Sequence, residues 1–324
     1  MSGPPLVLVA PELADFAGVA PEWPAGAETR LGAPAARAGN GDDGRVVALL
    51  PLVSQPVGPS ELARFPALRV VANYGVGYDN LDLEALRAAG VAATNTPDVL
   101  TDATADLAMA LVLVAARRLR EGLDLARGGT WSGWHPTQLL GAGLRGRTLG
   151  LAGAGRIGCA TARRARGFGL DILYWNRSPR PALETELEAR RAGSLGELLE
   201  GSDIVSVHLP LTEETRGLLD AAALARMRRG AILVNTARGA VVDEAALAAA
   251  LREGRLAAAG LDVFAEEPRV PPALRELPNC FVLPHLGSAT REARTAMWDL
   301  AAANVRAVLR GESPPTPIQP ATTS

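Results

Sequence analysis

The stretch TLGLAGAGRIG, residues 148–158, limits the possible folds more than any other part of this chain. It reads as an apolar strand, a glycine turn and the start of a helix, with Gly153, Gly155 and Gly158 spaced as G-x-G-x-x-G. The first glycine permits the tight turn. The second lets a pyrophosphate approach the backbone, and the third lets the helix pack on the strand. The helix start, at Arg156 and Ile157, then offers unpaired N–H groups to phosphate. Three glycines alone are a weak signal, so the flanking pattern decides. A chain that began with such a unit would show it near its start, yet here residues 1–147 precede it.

After residue 148 strands and helices alternate. Residues 148–152, 171–175, 203–208, 231–235, 257–263 and 281–284 read as strands, with helical segments such as DEAALAAALREG between them. This pattern predicts a doubly wound parallel sheet, an α/β fold of the Rossmann type. Upstream, residues 6–10, 46–50, 69–73 and 91–95 read as short strands of a smaller α/β unit, with LDLEALRAAG as a helix ending near Gly90. Residues 18–45 are rich in Gly, Ala and Pro and carry little periodic signal. The segment 101–129 predicts one long helix, begun by Thr101 or Asp102 and ended by Gly128 and Gly129. A final helix spans roughly 290–310 and stops at Gly311, before a Pro-rich tail.

Composition removes several chemistries. There is no lysine, so Schiff-base catalysis and a Walker-type phosphate lysine are excluded. Imidazole chemistry has three candidates, His135, His208 and His285. Cys159 and Cys280 lack metal-ligand spacing and read as free thiols, so no metal is expected. The net charge of −2 and the lack of a basic run argue against nucleic acid. The apolar run 107–116 is too short to span a bilayer. The N-terminus lacks a basic segment ahead of its short apolar run, so the expectation is a cytoplasmic protein without membrane contact.

The end of the second strand reports on the nucleotide. A site for NAD carries Asp or Glu there to hold the ribose 2′-OH. Asp171 opens the strand DILYW and stands at its wrong end; the other end carries Asn176, Arg177 and Ser178. A neutral residue, an arginine and a hydroxyl suit a 2′-phosphate. NADPH is therefore the expected cofactor, with NADH possible.

Three further stretches are VNTARGAVVDE (234–244), GLDVFAEEP (260–268) and LPHLGSAT (283–290). Together with the glycine turn they resemble the D-isomer-specific 2-hydroxyacid dehydrogenases, from about residue 46 to about 312. NYGVGYDNLDLEAL, TPDVLTDATADLA and GGTWSGWHP look most like the glyoxylate/hydroxypyruvate reductases within that family. The resemblance implies a dinucleotide domain, residues 99–289, inserted into a flavodoxin-like substrate domain built from 1–98 and 290–324. It implies reduction of small 2-keto acids by hydride transfer.

The site residues follow position by position. Arg238 matches the arginine that engages the carboxylate and carbonyl oxygen of substrate. His285 matches the acid/base and Glu267 the carboxylate that orients it, although the neighbouring Glu266 could be the paired one. Each lies at or beyond a strand's carboxyl end, where open α/β sheets bind ligands. His208, at another strand end, reads as structural or cofactor-lining. Further cofactor contacts are implied for Thr104, Leu209, Thr236, Ala237 and Asp262. Glycines in NYGVGYD allow the N–H groups of Val76 and Gly77 to face a carboxylate. Val53 stands where these reductases often carry leucine, and Trp134 matches a tryptophan that reaches the partner subunit's site in a homodimer. Two other activities of the family are oxidation of 3-phosphoglycerate, weakened by the absence of arginine in 72–79, and of phosphite. A non-enzymatic dinucleotide sensor of the corepressor type is the alternative of a different class.

Overall fold

The computed structural model describes residues 3–17, 22–34 and 43–318. They form two compact units, Met1–Leu100 with Ala289–Ser324, and Thr101–Ser288.

In the first unit five parallel strands stand in the order β2-β1-β3-β4-β5: β1 (Leu6–Val9), β2 (Glu28–Leu31), β3 (Val46–Leu50), β4 (Val70–Ala72) and β5 (Ala92–Thr94). This is the flavodoxin-like order. β1 and β4 are buried throughout, as expected of parallel strands covered on both faces. Leu8, Leu49, Phe65, Val71 and Leu86 fill the core. The helix Arg291–Leu309 belongs to this unit. Thr290 caps it by accepting the Ala293 N–H at 3.1 Å. At its other end Arg69 donates to the carbonyl of Val308 at 2.6 Å, a cation where the helix dipole is negative.

The second unit holds seven parallel strands in the order β12-β11-β10-β9-β6-β7-β8. They are β6 (Thr148–Ala152), β7 (Asp171–Trp175), β8 (Arg190–Arg191), β9 (Ile204–Val207), β10 (Ala231–Asn235), β11 (Leu256–Leu261) and β12 (Cys280–Val282). Counted from β6 the order is 3-2-1-4-5-6-7, the doubly wound dinucleotide topology with one strand added. Chain direction across the sheet reverses between β6 and β9, which places the ligand crevice beside the carboxyl end of β6.

The single helix expected over 101–129 is two helices, Thr101–Ala116 and Leu119–Arg127. Arg118 between them is left-handed, with φ of 52°. The break has a tertiary cause. The Ala116 carbonyl accepts from the Ala142 N–H at 2.7 Å, and a Cβ on Gly141 would lie 2.3 Å from that same oxygen. A returning loop thus takes the carbonyl at which the first helix stops. The strand β2 within 18–45 and the two-residue β8 carried no apolar alternation, and the sequence reading missed both; residues 18–21 and 35–42 of that stretch lie outside the described residues. Strands read at 69–73, 203–208 and 257–263 are a residue or two shorter. No helix among the described residues is long and apolar enough to cross a membrane.

Candidate active site

Arg238, Glu267 and His285 lie on the loops leaving the carboxyl ends of β10, β11 and β12. After β10, the Asn235 side chain fastens the loop on both sides of Arg238. Its oxygen accepts from the Ala237 N–H at 3.0 Å and its nitrogen donates to the Arg238 carbonyl at 2.9 Å. The guanidinium of Arg238 donates to the Ala237 carbonyl at 2.9 Å. At the next residue a Cβ on Gly239 would lie 1.9 Å from the carbonyl carbon of Phe264. Backbone meets backbone there, so only glycine lets the Arg238 loop approach the loop after β11.

The loop after β11 carries Asp262 and Glu267. Glu267 Oε1 accepts from the Phe264 N–H at 3.0 Å, and Glu267 Oε2 lies 2.7 Å from Nδ1 of His285. Burial pushes the Glu267 carboxyl up. The hydrogen bond and charge of His285, the Phe264 N–H and the charge of Arg238 outweigh it and hold the group below the ordinary carboxylate range. Glu266, the other candidate for pairing, forms an ion pair with Arg269.

Asp262 is fully buried and holds three consecutive N–H groups. Its carbonyl accepts from His285 at 2.9 Å, Oδ1 from Leu286 at 2.6 Å and Oδ2 from Gly287 at 2.8 Å. His285 has φ of 54°, an uncommon conformation for a residue with a side chain. That left-handed turn lets the three successive N–H groups converge on one acidic residue. Burial pushes the Asp262 carboxyl up, against the pull of these N–H groups and of His285. The Thr104 hydroxyl donates to the Gly287 carbonyl at 3.0 Å. Asp262 and Thr104, expected as cofactor contacts, thus both fasten the His285 loop. That role had no signature in sequence.

His208 lies at the end of β9 with Nε2 2.9 Å from the Ser206 hydroxyl. Burial pushes it down to about 4, which keeps it neutral in the physiological range. His135 is exposed beside Thr137.

The glycine turn has the form the nucleotide reading requires. Gly153 has φ of 98°, and a Cβ there would lie 2.7 Å from the His208 carbonyl. A Cβ on Gly158 would lie 2.3 Å from the Gly153 carbonyl, so helix Arg156–Gly167 packs directly on the turn. A Cβ on Gly155 would meet nothing within 4 Å, which leaves open space beside the backbone where a pyrophosphate fits. Leu209 is half-buried and lies against Gly153. The Thr236 hydroxyl is buried with no hydrogen-bond partner among the described residues, so it is available to a ligand. These observations fit a bound dinucleotide.

At the end of β7, both ends of the Asn176 amide are engaged. Oδ1 accepts from the Ala154 N–H at 3.1 Å and Nδ2 donates to the Ser178 carbonyl at 2.9 Å. Arg180, which carried no fixed direction in sequence, donates to the Ala154 carbonyl at 2.7 Å. The glycine turn and the strand end are thereby tied together. Arg177 and Ser178 stay exposed; the Thr212 hydroxyl, with a smaller contribution from the Arg177 charge, holds the Glu214 carboxyl low.

In the first unit, the turn after β4 carries Val76 and Gly77. No acceptor for the N–H of either lies among the described residues. Val53 packs on this turn, and a Cβ on Gly75 would lie 2.3 Å from a Val53 methyl. In the second unit Trp134 is 82% exposed, and Leu119, Leu123, Trp131 and Leu140 are exposed as well.

Comparison with known proteins agrees with this architecture. The profile of the D-isomer specific 2-hydroxyacid dehydrogenase NAD-binding domain matches residues 109–287. The glyoxylate reductase of Thermococcus litoralis is 49% identical over 274 residues, 83% of this chain and 82% of its own. That of Pyrococcus furiosus is 49% identical over 275 residues, covering 84% of this chain and 82% of its own. The NADPH-dependent glyoxylate/hydroxypyruvate reductase of Sinorhizobium meliloti, solved with NADP and malonate, superposes with a TM-score of 0.87 at 38% identity. The match covers 98% of this chain and 97% of that one. With the doubly wound sheet, the glycine turn and these matches, the chain belongs to the D-isomer-specific 2-hydroxyacid dehydrogenase family.

Proposed function

We propose that this enzyme reduces glyoxylate and hydroxypyruvate to the 2-hydroxy acids, of D configuration where the product is chiral. The observation that carries the reading is the 2.7 Å contact between His285 Nδ1 and Glu267 Oε2, with Arg238 close enough for its charge to act on that carboxylate. A 2-keto acid carries its carbonyl beside a carboxylate. When bound, the nicotinamide supplies hydride to the carbonyl carbon. The chain must hold the anion and deliver a proton to the carbonyl oxygen. Arg238 takes the carboxylate and carbonyl oxygens through its planar fork. Glu267 holds Nδ1 of the imidazolium, which turns Nε2–H toward the substrate oxygen for proton donation. In the first unit, the Val76 and Gly77 N–H groups, on the turn against which Val53 packs, are donors of the kind that holds a carboxylate. His208, neutral and buried, does not serve as the acid.

For the cofactor, Gly153, Gly155, Arg156, Ile157 and Gly158 hold the pyrophosphate, and the orphaned Thr236 hydroxyl faces the nicotinamide side. Thr104 and Asp262 act by fixing the loop at the nicotinamide end. NADPH is preferred over NADH: Arg177 pairs with the 2′-phosphate and Ser178 donates to it, while Asn176 holds the strand end in place. The chain works in the cytoplasm, in keeping with its free cysteines. It forms a homodimer through the face bearing Leu119, Leu123, Trp134 and Leu140, beside a cavity of about 500 Å³ lined by Val114, Leu140, Ile232 and Phe281. Five exposed large apolar side chains within residues 119–140 argue for a second copy against them.

Steady-state assays of the purified chain with glyoxylate, hydroxypyruvate, pyruvate and 2-ketogluconate, each with NADPH and with NADH, test the reading. Highest kcat/KM with the first two acids and NADPH is expected. Binding of cofactor with no turnover of any acid would make the chain a dinucleotide sensor instead.

A further inference from the structure

The turn after β4 is tied down on one side only. The Gly75 carbonyl accepts from the Thr96 N–H at 2.9 Å. The Val76 carbonyl accepts from the Asn95 side-chain nitrogen at 2.8 Å, and the Gly77 carbonyl from that of Asn73 at 2.7 Å. Asn73 is fully buried and is itself held through its oxygen by Asn80 at 3.0 Å. Three successive carbonyls therefore point to anchors within the unit.

A trans peptide is planar, so the carbonyl of one residue and the N–H of the next point in opposite directions. Holding the Gly75 carbonyl aims the Val76 N–H away from Thr96. Holding the Val76 carbonyl aims the Gly77 N–H away from Asn95. Neither of these N–H groups has an acceptor among the described residues. The anchors and the unpaired donors are two faces of the same peptide planes.

We propose that Asn95 is a positioning residue that sets affinity for the carboxylate of the 2-keto acid. It does not touch substrate. It holds the Val76–Gly77 peptide plane so that the Gly77 N–H is already aimed when the anion arrives, and Asn73 does the same for the following plane. The proposal rests on the reading of Val76 and Gly77 as carboxylate donors. An asparagine amide suits the task because its N–H donates to a carbonyl while its neutral oxygen puts no charge beside an incoming anion. Without the anchor, only the neighbouring planes held by Thr96 and Asn73 restrain this one, and its carbonyl can turn toward the carboxylate.

The test compares Asn95→Ala and Gly77→Pro with the unaltered full-length chain. KM for glyoxylate, kcat, the inhibition constant of oxalate against glyoxylate and the Kd of NADPH by fluorescence are measured, with circular dichroism as a check on folding. Asn95→Ala is expected to raise KM and the oxalate constant together by about tenfold, in the range of one charge-assisted hydrogen bond. The kcat at saturation should stay within about twofold, and NADPH binding should not change. An unaltered KM in Asn95→Ala overturns the proposal, whatever the other variant does. Equal losses in KM, kcat and NADPH affinity overturn it as well, because they report general disruption. Gly77→Pro, which removes the N–H itself, then locates the failure. If it raises KM while Asn95→Ala does not, the turn binds the carboxylate without needing Asn95. If a folded Gly77→Pro also leaves KM unaltered, the carboxylate reading of the turn falls with the proposal.

Discussion

His285 Nδ1 and Glu267 Oε2 lie 2.7 Å apart although 18 positions separate the residues in the chain. The other oxygen of Glu267 is held by the Phe264 N–H. The carboxylate is therefore fixed from two sides, and it in turn fixes the ring plane of His285. His285→Ala is expected to lower kcat for glyoxylate by about 10²–10⁴-fold, the usual worth of a positioned general acid. NADPH affinity should be unchanged, as read by fluorescence titration. Near-normal turnover would remove His285 from the acid role.

The same pair has a pH signature. The Glu267 carboxyl is held below the ordinary carboxylate range, so its charged form stabilises the fold. That contribution is fully present above the unfolded value of about 4.3 and is lost as pH falls through the lower folded value. Urea unfolding of the unaltered chain and of Glu267→Gln should differ at pH 7, and the difference should shrink on acidification below about pH 4. A difference that is constant with pH would mean that the charge of Glu267 does not matter to stability.

Asp262 accepts from the N–H groups of Leu286 and Gly287 with its two carboxylate oxygens. Asp262→Asn keeps the size but sets an NH₂ against one of those donors, leaving a buried N–H unpaired at a cost of about 1–3 kcal/mol. The His285 loop should loosen. The expected result is a drop in kcat of tenfold or more, measured at saturating glyoxylate, with a lower thermal midpoint. If kcat holds while stability falls, Asp262 supports the fold alone.

Arg177 is the exposed cation at the end of β7, whereas Asn176 and Arg180 are spent on the glycine turn. Arg177→Ala should therefore weaken NADPH by roughly 10- to 150-fold, the worth of a charge-assisted hydrogen bond, and leave NADH within about twofold. Isothermal titration with each cofactor measures this. Equal weakening of both would assign Arg177 to loop structure, and an NADH preference in the unaltered chain would refute the 2′-phosphate reading itself.

Leu119 and Leu123 are each about half exposed on the helix Leu119–Arg127, on the face proposed for self-association. Leu119→Glu with Leu123→Glu should convert a dimer into a monomer by light scattering, since two carboxylates would be buried without partners. A chain that is monomeric before substitution would sink the dimer.

The α/β class and the glycine turn were legible in sequence for local reasons, whereas Arg238, Glu267 and His285 were named through the family resemblance. Buried parallel strands read as apolar runs such as AILVN, a tight phosphate turn demands glycines at set intervals, and the helices begin at residues that cap, as Thr290 does. Between Glu266 and Glu267, the sequence reading favoured Glu267 only for its place before Pro268 in the family motif, not on any local physical signal. Adjacent acids look alike in sequence, and only the packing of Gly239 against Phe264 and the wrapping of residues 285–287 around Asp262 decide which one meets the imidazole. The break at Arg118 likewise depends on Ala142, 26 positions from its hydrogen-bond partner Ala116. The direction of the Val76 and Gly77 N–H groups depends on Asn95 and Thr96, which arrive from the next strand. Periodicity and capping are properties of neighbours along the chain and are written there. Which acceptor holds which donor depends on distances between segments far apart in sequence, and only the folded chain sets those distances.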